Sequence, residues 1–173
     1  MSRLILIDGN NLLHAMHEHA PIPPVGRETL VRVIERWAGE RDEHITLVFD
    51  GAPPGGDLRK QTSSARVAVR FSAPQTADDV IVAAVNAAKR PDQILVVSTD
   101  SAIRHAARLR RCREVSSQEF VSELFRTEAR NAGYTYNPPE KPSDVSPDER
   151  REWMKLFGAD EAEPFDGHDA MKY

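Results

Sequence analysis

The sequence predicts a three-layer α/β/α domain with a central, mainly parallel sheet. Two apolar runs, Leu4–Ile7 and Ile94–Val97, lack polar alternation, which is typical of parallel strands that are buried on both faces. Segments with helical patterns alternate with the strand segments, and this alternation favours parallel strands with helices on both sides of the sheet. The 173 residues suffice for one such domain and a tail.

The individual elements follow from periodicity and from cap signals. The strands are predicted from short apolar or alternating runs, which cover Arg3–Ile7, Ile45–Phe49, Val67–Phe71, Ile94–Val97 and a weak edge strand ending at Glu114–Val115. Thr76 is a predicted N-terminal cap, and Gly39 and Gly133 are predicted helix stops. The predicted helices cover Asn10–His19, Glu28–Ala38, Ala77–Lys89, Ser101–Leu109, Ser117–Ala132 and Pro147–Phe157.

The end of the chain differs from the rest in composition. Tyr134–Tyr173 contains ten acids and five bases, whereas Met1–Gly133 contains 17 acids and 18 bases. We therefore expect a domain over residues 1–133 and an acidic, proline-rich extension with one short helix over residues 134–173. Three apolar side chains of this extension should pack against the domain: Trp153, Leu156 and Phe157.

Several classes of protein are excluded or disfavoured. Cys112 is the only cysteine, so neither an intrachain disulfide nor a cysteine-based zinc site can form. No apolar run reaches the ~20 residues of a membrane span, and no signal-peptide core follows Met1, so we expect a cytoplasmic protein without membrane contact. Glycine-rich dinucleotide loops, Walker loops, nucleophile elbows and HExxH motifs are all missing from the sequence.

Acidic residues occur where the predicted strands end. Asp8, Asp50 and Asp100 each close an apolar run, and Asp78 and Asp79 begin a predicted helix. Because the carboxyl ends of parallel strands face one crevice, we expect these carboxylates to gather there. Gathered carboxylates repel each other unless a cation neutralises them. The pattern therefore indicates a Mg²⁺ or Mn²⁺ site and phosphate chemistry.

The acidic positions are not equally strong candidates for metal ligands. We predict that Asp8, Asp78 and Asp100 are the catalytic metal ligands. A purely structural role stays open at each, because aspartate also caps helices and is favoured in their first turn. The expected supporting residues are Asn11, Asp50, Asp79, Thr99 and Ser101.

Basic residues flank the acidic positions in two clusters. One follows Asp57 and contains no acid, and the other precedes Glu114. Basic flanks around an acidic centre suit a polyanion whose backbone must reach a metal. For the second cluster, arginines on a solvated helix face are an equally simple explanation. The predicted polyanion-binding residues are Arg59, Lys60, Arg66, Arg70 and Arg104.

The ordered set of motifs resembles the YacP-like group of the NYN domain family, a branch of the PIN-like metal-dependent nucleases. The resemblance extends over about Met1–Ala132, and its motifs occur in family order: Leu6–Leu13, Val48–Asp50, Arg59–Thr62, Val67–Phe71, Thr76–Ile81 and Val97–Asp100. The sequence departs from the group at Asn10, where tyrosine is common and could stack on a base.

The resemblance implies an endoribonuclease in which Asp8, Asp78 and Asp100 hold the metal and Asn11 lies beside it. It also implies RNA as the substrate and, for the YacP-like group, mRNA and the ribosome as partners. A non-catalytic RNA-binding adaptor is the main alternative, although an adaptor has no reason to retain mutually repelling carboxylates. A phosphatase of the haloacid dehalogenase type would need a second aspartate at position 10, where this chain has Asn10.

Overall fold

The sheet is parallel throughout. The computed structural model describes residues 3–19, 22, 25–53, 64–133, 135–137 and 145–157. Its strands are β1 (Leu4–Asp8), β2 (His44–Phe49), β3 (Val67–Phe71), β4 (Ile94–Val97) and β5 (Arg113–Val115). They form one sheet in the order β3-β2-β1-β4-β5, and every neighbouring pair is parallel. The predicted α/β fold with a mainly parallel sheet is confirmed.

Helices cover both faces of this sheet. They are α1 (Gly9–His19), α2 (Arg27–Arg41), α3 (Ala77–Ala87), α4 (Ser101–Leu109), α5 (Ser117–Asn131) and α6 (Pro147–Phe157). The larger core lies between the sheet and α1, α2, α5 and α6, and the smaller core lies between the sheet and α3 and α4. Among the helices that the structure describes, none is long and apolar enough to cross a membrane.

The alternation of side chains along β1 decides where its last residue points. Ile5 and Ile7 belong to the larger core, whereas Leu6 belongs to the smaller one. Because the strand period is two, Asp8 emerges on the same face as Leu6. The chain order of the strands reverses between β1 and β4, and this switch point is where ligands bind in open α/β sheets. Asp8 therefore lies at the expected binding crevice.

Two predicted helix ends are wrong. Helix α2 continues through Gly39 to Arg41, and Asp42 takes the left-handed conformation at φ 54° that ends it. Tertiary contacts hold this extra turn, because Arg41 donates to Thr127 Oγ1 at 2.7 Å and Asp42 forms an ion pair with Arg66. Helix α3 ends at Ala87, before the predicted end at Lys89.

Helix α6 packs into the larger core. Trp153 and Phe157 are each only 2% exposed, and Leu156 is partly buried against the same core. The ring of Phe125 on α5 lies 5.0 Å from the Trp153 ring and 4.3 Å from the Phe157 ring, measured between centroids. The predicted packing of the extension through these side chains is confirmed.

Candidate active site

Asp8 is a buried carboxylate whose two oxygens are both engaged. Its exposed fraction is 2%. Oδ1 accepts the backbone N–H of Asn11 at 3.0 Å, which caps α1, and Oδ2 accepts hydrogen bonds from Asn11 Nδ2 and, at 3.3 Å, from Ser98 Oγ. Burial raises the pKa of Asp8 above its ordinary value, and the negative charge of Asp50 adds to the rise, although the hydrogen bonds counteract it. The carboxylate is thus rigidly held in a place that disfavours its charge.

Ser98 links the ends of β1 and β4 and was missed in the sequence. Besides donating to Asp8, its Oγ accepts hydrogen bonds from the backbone N–H of Asp100 at 3.0 Å and from Asn11 Nδ2 at 3.3 Å. The strand period could have found it, because Ser98 lies two residues after Val96 and so shares the face of Asp8. It thereby orients three of the predicted site residues.

The two hydroxyl residues that were predicted instead lie elsewhere. Thr99 is exposed and donates to Gln118 Oε1 at 3.0 Å. Ser101 is exposed in the first turn of α4. The structure does not bring either hydroxyl into the network around Asp8.

Asp100 combines a structural contact with a free oxygen. Its Oδ1 accepts the backbone N–H groups of Ala102 at 2.7 Å and Ile103 at 3.0 Å, so Asp100 caps α4. Its Oδ2 accepts no hydrogen bond from any residue that the structure describes. The capping alternative is therefore realised at this position, yet it leaves one oxygen available to a ligand.

Asp78 lies in the electrostatic field of the other acids. It is exposed in the first turn of α3, which Thr76 caps by accepting the Asp79 N–H at 3.1 Å. Partial desolvation raises the pKa of Asp78, and the negative charges of Asp8, Asp100, Asp50 and Asp79 raise it further. The charges of three acids that are far from Asp78 in sequence, Asp8, Asp50 and Asp100, thus act on this one carboxylate.

Asp50 joins three elements at the same edge. Its Oδ1 accepts the Ala77 N–H at 2.7 Å and the Ser72 hydroxyl at 3.4 Å, while its Oδ2 accepts Asn10 Nδ2 at 3.2 Å. These bonds fix the start of α3, which carries Asp78. Asn10, the departure from the family pattern, is held here, and its buried Oδ1 has no hydrogen-bond partner among the described residues.

The acidic positions lack countercharge. Within residues 3–19, 22, 25–53, 64–133, 135–137 and 145–157, no arginine or lysine forms an ion pair with any of the five predicted site aspartates. In these same ranges, no three acidic, histidine or cysteine side chains form a ready metal-binding group. Carboxylate oxygens are the donors that Mg²⁺ and Mn²⁺ prefer. The set fits a hard cation in chemistry and charge, without a closed ligand shell.

The predicted basic residues separate into different places. Arg70 is exposed on β3 and in register with Val48, which is itself in register with Asp8. Arg66 precedes β3 at the opposite end of the sheet, where it pairs with Asp42. Arg104 pairs with Glu114, whose carboxylate raises the pKa of Arg104. The remaining two predicted residues, Arg59 and Lys60, lie outside the described residues.

Arg27 is a basic residue at this edge that sequence patterns do not reveal. It begins α2, and its guanidinium carbon lies 5.2 Å from the centroid of the Phe49 ring. Phe49 in turn lies against Gly9, since a Cβ added to Gly9 would stand 2.6 Å from Phe49 Cδ1. Gly9 is therefore needed for close packing at the first residue of α1. Among the described residues, Arg27 has no carboxylate partner.

Comparisons with known proteins agree with this fold. The structure of Rae1 (YacP) from Bacillus subtilis matches with a TM-score of 0.57 and 21% identity, covering 91% of this chain and 84% of that chain. A point variant of the same protein matches with a TM-score of 0.53 and 18% identity, covering 91% and 92%. No curated protein gives a significant match. A model of the YacP-like NYN domain matches residues 5–156, so the chain belongs to the YacP-like NYN domain family, a family of the nuclease type.

Proposed function

We propose that this protein is a metal-dependent endoribonuclease that hydrolyses RNA phosphodiester bonds at the carboxyl edge of its sheet. The observation that carries the proposal is geometric: the buried Asp8 carboxylate lies at the switch point of the sheet, and Ser98 connects it by hydrogen bonds to Asp100. Desolvation and the nearby charges of Asp8, Asp100 and Asp50 raise the pKa of Asp78, in agreement with one shared acidic site. Like charges held together disfavour ionisation, and a divalent cation removes that penalty. Family membership supports nuclease chemistry and an RNA-related role.

The residues of the edge have separate tasks in this mechanism. Asp8, Asp78 and Asp100 would hold Mg²⁺ or Mn²⁺, and the cation, when bound, would lower the pKa of a water molecule and stabilise charge on the phosphate. Ser98 and Asn11 orient the Asp8 carboxylate through their hydrogen bonds. No side-chain nucleophile is required.

The RNA backbone is held by basic residues around the edge. Arg27 and Arg70 are the described candidates, because neither has an ion-pair partner within the described ranges. We extend the proposal to Arg59 and Lys60, which follow β2 in the sequence. The resemblance to the YacP-like group favours mRNA at the ribosome as the substrate, and a cytoplasmic site of action.

Cleavage of a labelled single-stranded RNA by Asp8→Asn and Asp100→Asn tests the proposal. Both variants should lose Mn²⁺-dependent cleavage while circular dichroism shows an intact fold, because asparagine caps helices as well as aspartate does. Wild-type protein should be inactive in excess chelator. Full activity of both variants, or cleavage that survives the chelator, contradicts the mechanism.

One observation favours a second candidate, the non-catalytic RNA-binding adaptor. The described carboxylates form no closed three-ligand group, and Asp100 caps a helix. An adaptor should bind RNA with the same affinity in chelator and in Mn²⁺, and should never shorten it. The same labelled RNA therefore separates the two candidates.

A further inference from the structure

Basic residues collect at the end of the sheet where the parallel strands begin, which we call the amino edge. This end lies opposite the aspartates. Lys89 and Arg90 follow α3, and Arg110 and Arg111 follow α4, where the chain turns back to enter the next strand. All four are exposed. The Arg110 guanidinium donates to the carbonyl oxygen of Ala88 at 3.0 Å, which joins the two pairs into one surface. These four residues are the amino-edge patch.

The amino-edge patch keeps most of its positive charge. Its one ion-pair partner among the described residues is Asp92, which lies 3.9 Å from Arg90, and the side chains of Asp92 and Arg90 are 69% and 62% exposed. Such a pair contributes little. Arg104 and Arg108 of α4 differ, because both pair with Glu114, whose single negative charge offsets one of their two positive charges. The patch is thus a positive surface on a chain of net charge −4.

The left-handed backbone conformation of Arg111 does not explain why this position carries an arginine. The N–H of Cys112 donates to the Ala107 carbonyl and the N–H of Arg111 donates to the Arg108 carbonyl, both at 2.9 Å. This is a Schellman ending, and it places Arg111 at φ 61°. Glycine or asparagine adopts that conformation at lower cost. The arginine side chain adds charge to the surface without helping to end the helix.

The sequence around the patch indicates which form of nucleic acid it could recognise. No Phe, Tyr or Trp occurs between Phe71 and Phe120, so α3, β4, α4 and β5 offer no aromatic platform on which single-stranded bases could stack. Lysine and arginine without stacking partners bind phosphates, and double-helical RNA is recognised mainly through its backbone and shape. The patch therefore fits a duplex better than a single strand.

We propose that the amino-edge patch binds the phosphate backbone of double-helical RNA. The choice of RNA as the polyanion rests on the proposed function. Strands of four or five residues separate the patch from the aspartates by about 13–17 Å at ~3.3 Å per residue. A duplex on the patch would thus leave the carboxyl edge open to a neighbouring single strand.

Fluorescence anisotropy with a short labelled RNA duplex tests the proposal, in chelator and over a range of salt concentrations. The variant Lys89→Gln/Arg111→Asn should bind roughly 10- to 30-fold more weakly than wild type, and its slope of log affinity against log salt should fall by about 2. The Arg111→Asn change should not lower the melting temperature, because asparagine tolerates the left-handed conformation. Arg32→Gln/Arg126→Gln removes the same charge from exposed positions elsewhere and should bind like wild type.

Three outcomes would overturn the proposal. The first is equal duplex affinity for the patch variant and the control variant. The second is binding of the wild type to phosphatidylserine vesicles but not to the duplex, which would assign the patch and the neighbouring Leu109, 71% exposed, to a membrane surface. The third is loss of single-strand cleavage in the patch variant. Because binding is measured in chelator, it is independent of whether the protein cuts RNA.

Discussion

The two edges of the sheet carry opposite charges for partly the same reason. Helix N-termini lie at the carboxyl edge and favour acids, and helix C-termini lie at the amino edge and favour bases. The difference is the burial of one central charge: Asp8 is 2% exposed, although Asp78 beside it is exposed, whereas the four basic residues of the amino-edge patch are all exposed. Buried charge requires a compensating partner and exposed charge does not. The proposed cation therefore belongs at the acidic edge.

The largest effect is expected from removing one acid at the carboxyl edge. Asp78→Asn should reduce metal-dependent cleavage by about 100- to 1000-fold, because losing one ligand removes several kcal/mol of transition-state stabilisation. The matched variant Asp79→Asn, on the adjacent residue of α3, should retain most activity. Single-turnover rates measure both. Equal losses in the two variants would mean that the charge at this helix end matters, and not ligation by Asp78.

The raised pKa of Asp78 also predicts that the stability of the protein depends on pH. The pKa of Asp78 is raised in the folded state, so its ionisation costs stability as the pH rises from the ordinary aspartate pKa through the raised one. Without metal, Asp78→Asn should therefore melt at a higher temperature than wild type at neutral pH, and the difference should vanish in acid, where Asp78 is protonated in both states. Thermal melts in chelator measure this, and a lower neutral melting temperature contradicts it.

The packing between Gly9 and Phe49, behind the acidic edge, should also be sensitive to substitution. Gly9→Ala places a Cβ 2.6 Å from Phe49 Cδ1, and Phe49 is 1% exposed and cannot move away. Overpacking of this kind costs about 1–3 kcal/mol, and the shift of α1 should disturb Asn11 and Asp8. Urea unfolding and cleavage assays should both show losses. Wild-type stability would mean that the ring relaxes.

Arg27→Gln removes a positive charge from the acidic edge. Loss of one phosphate contact should weaken single-stranded RNA binding by roughly 3- to 10-fold and lower the salt slope by about 1. Arg32→Gln, on the same helix but bonded to Thr29 Oγ1 at 3.2 Å, should bind like wild type. Anisotropy in chelator measures both. If Arg27→Gln bound RNA as tightly as wild type, the role of Arg27 would be limited to its contact with the Phe49 ring.

The smallest effect is expected away from both charged surfaces. Gly39→Ala lies inside α2 with nothing within 4 Å of the added Cβ. Alanine should raise the free energy of unfolding by about 0.5–1 kcal/mol, because glycine is entropically costly in a helix. Cleavage and duplex binding should not change. A loss of stability in urea would show that Gly39 has a role in ending α2 after all.

Periodicity located the strands and most helices because it reports burial, which is local in sequence. It placed Asp8, Asp50 and Asp100 at strand ends, and parallel topology brought those ends together. Periodicity did not identify Ser98, which is a neutral residue between the apolar strand β4 and Asp100. It also did not identify Arg27, which reaches this edge only through the packing of α2. Arg66 lies at the other end of the sheet, because its strand begins there. Charge clusters in sequence do not specify which end of a strand they occupy.

The fold class, the strand ends and the family could be predicted from the sequence, since hydrophobic period and ordered motifs are properties of the linear chain. Contacts between distant residues could not: the charges of three distant acids act on Asp78, Ser98 forms hydrogen bonds with Asp8 and Asp100, and Arg110 joins two basic turns. Electrostatic and hydrogen-bond energies depend on distance in space, and that distance exists only once the sheet has formed.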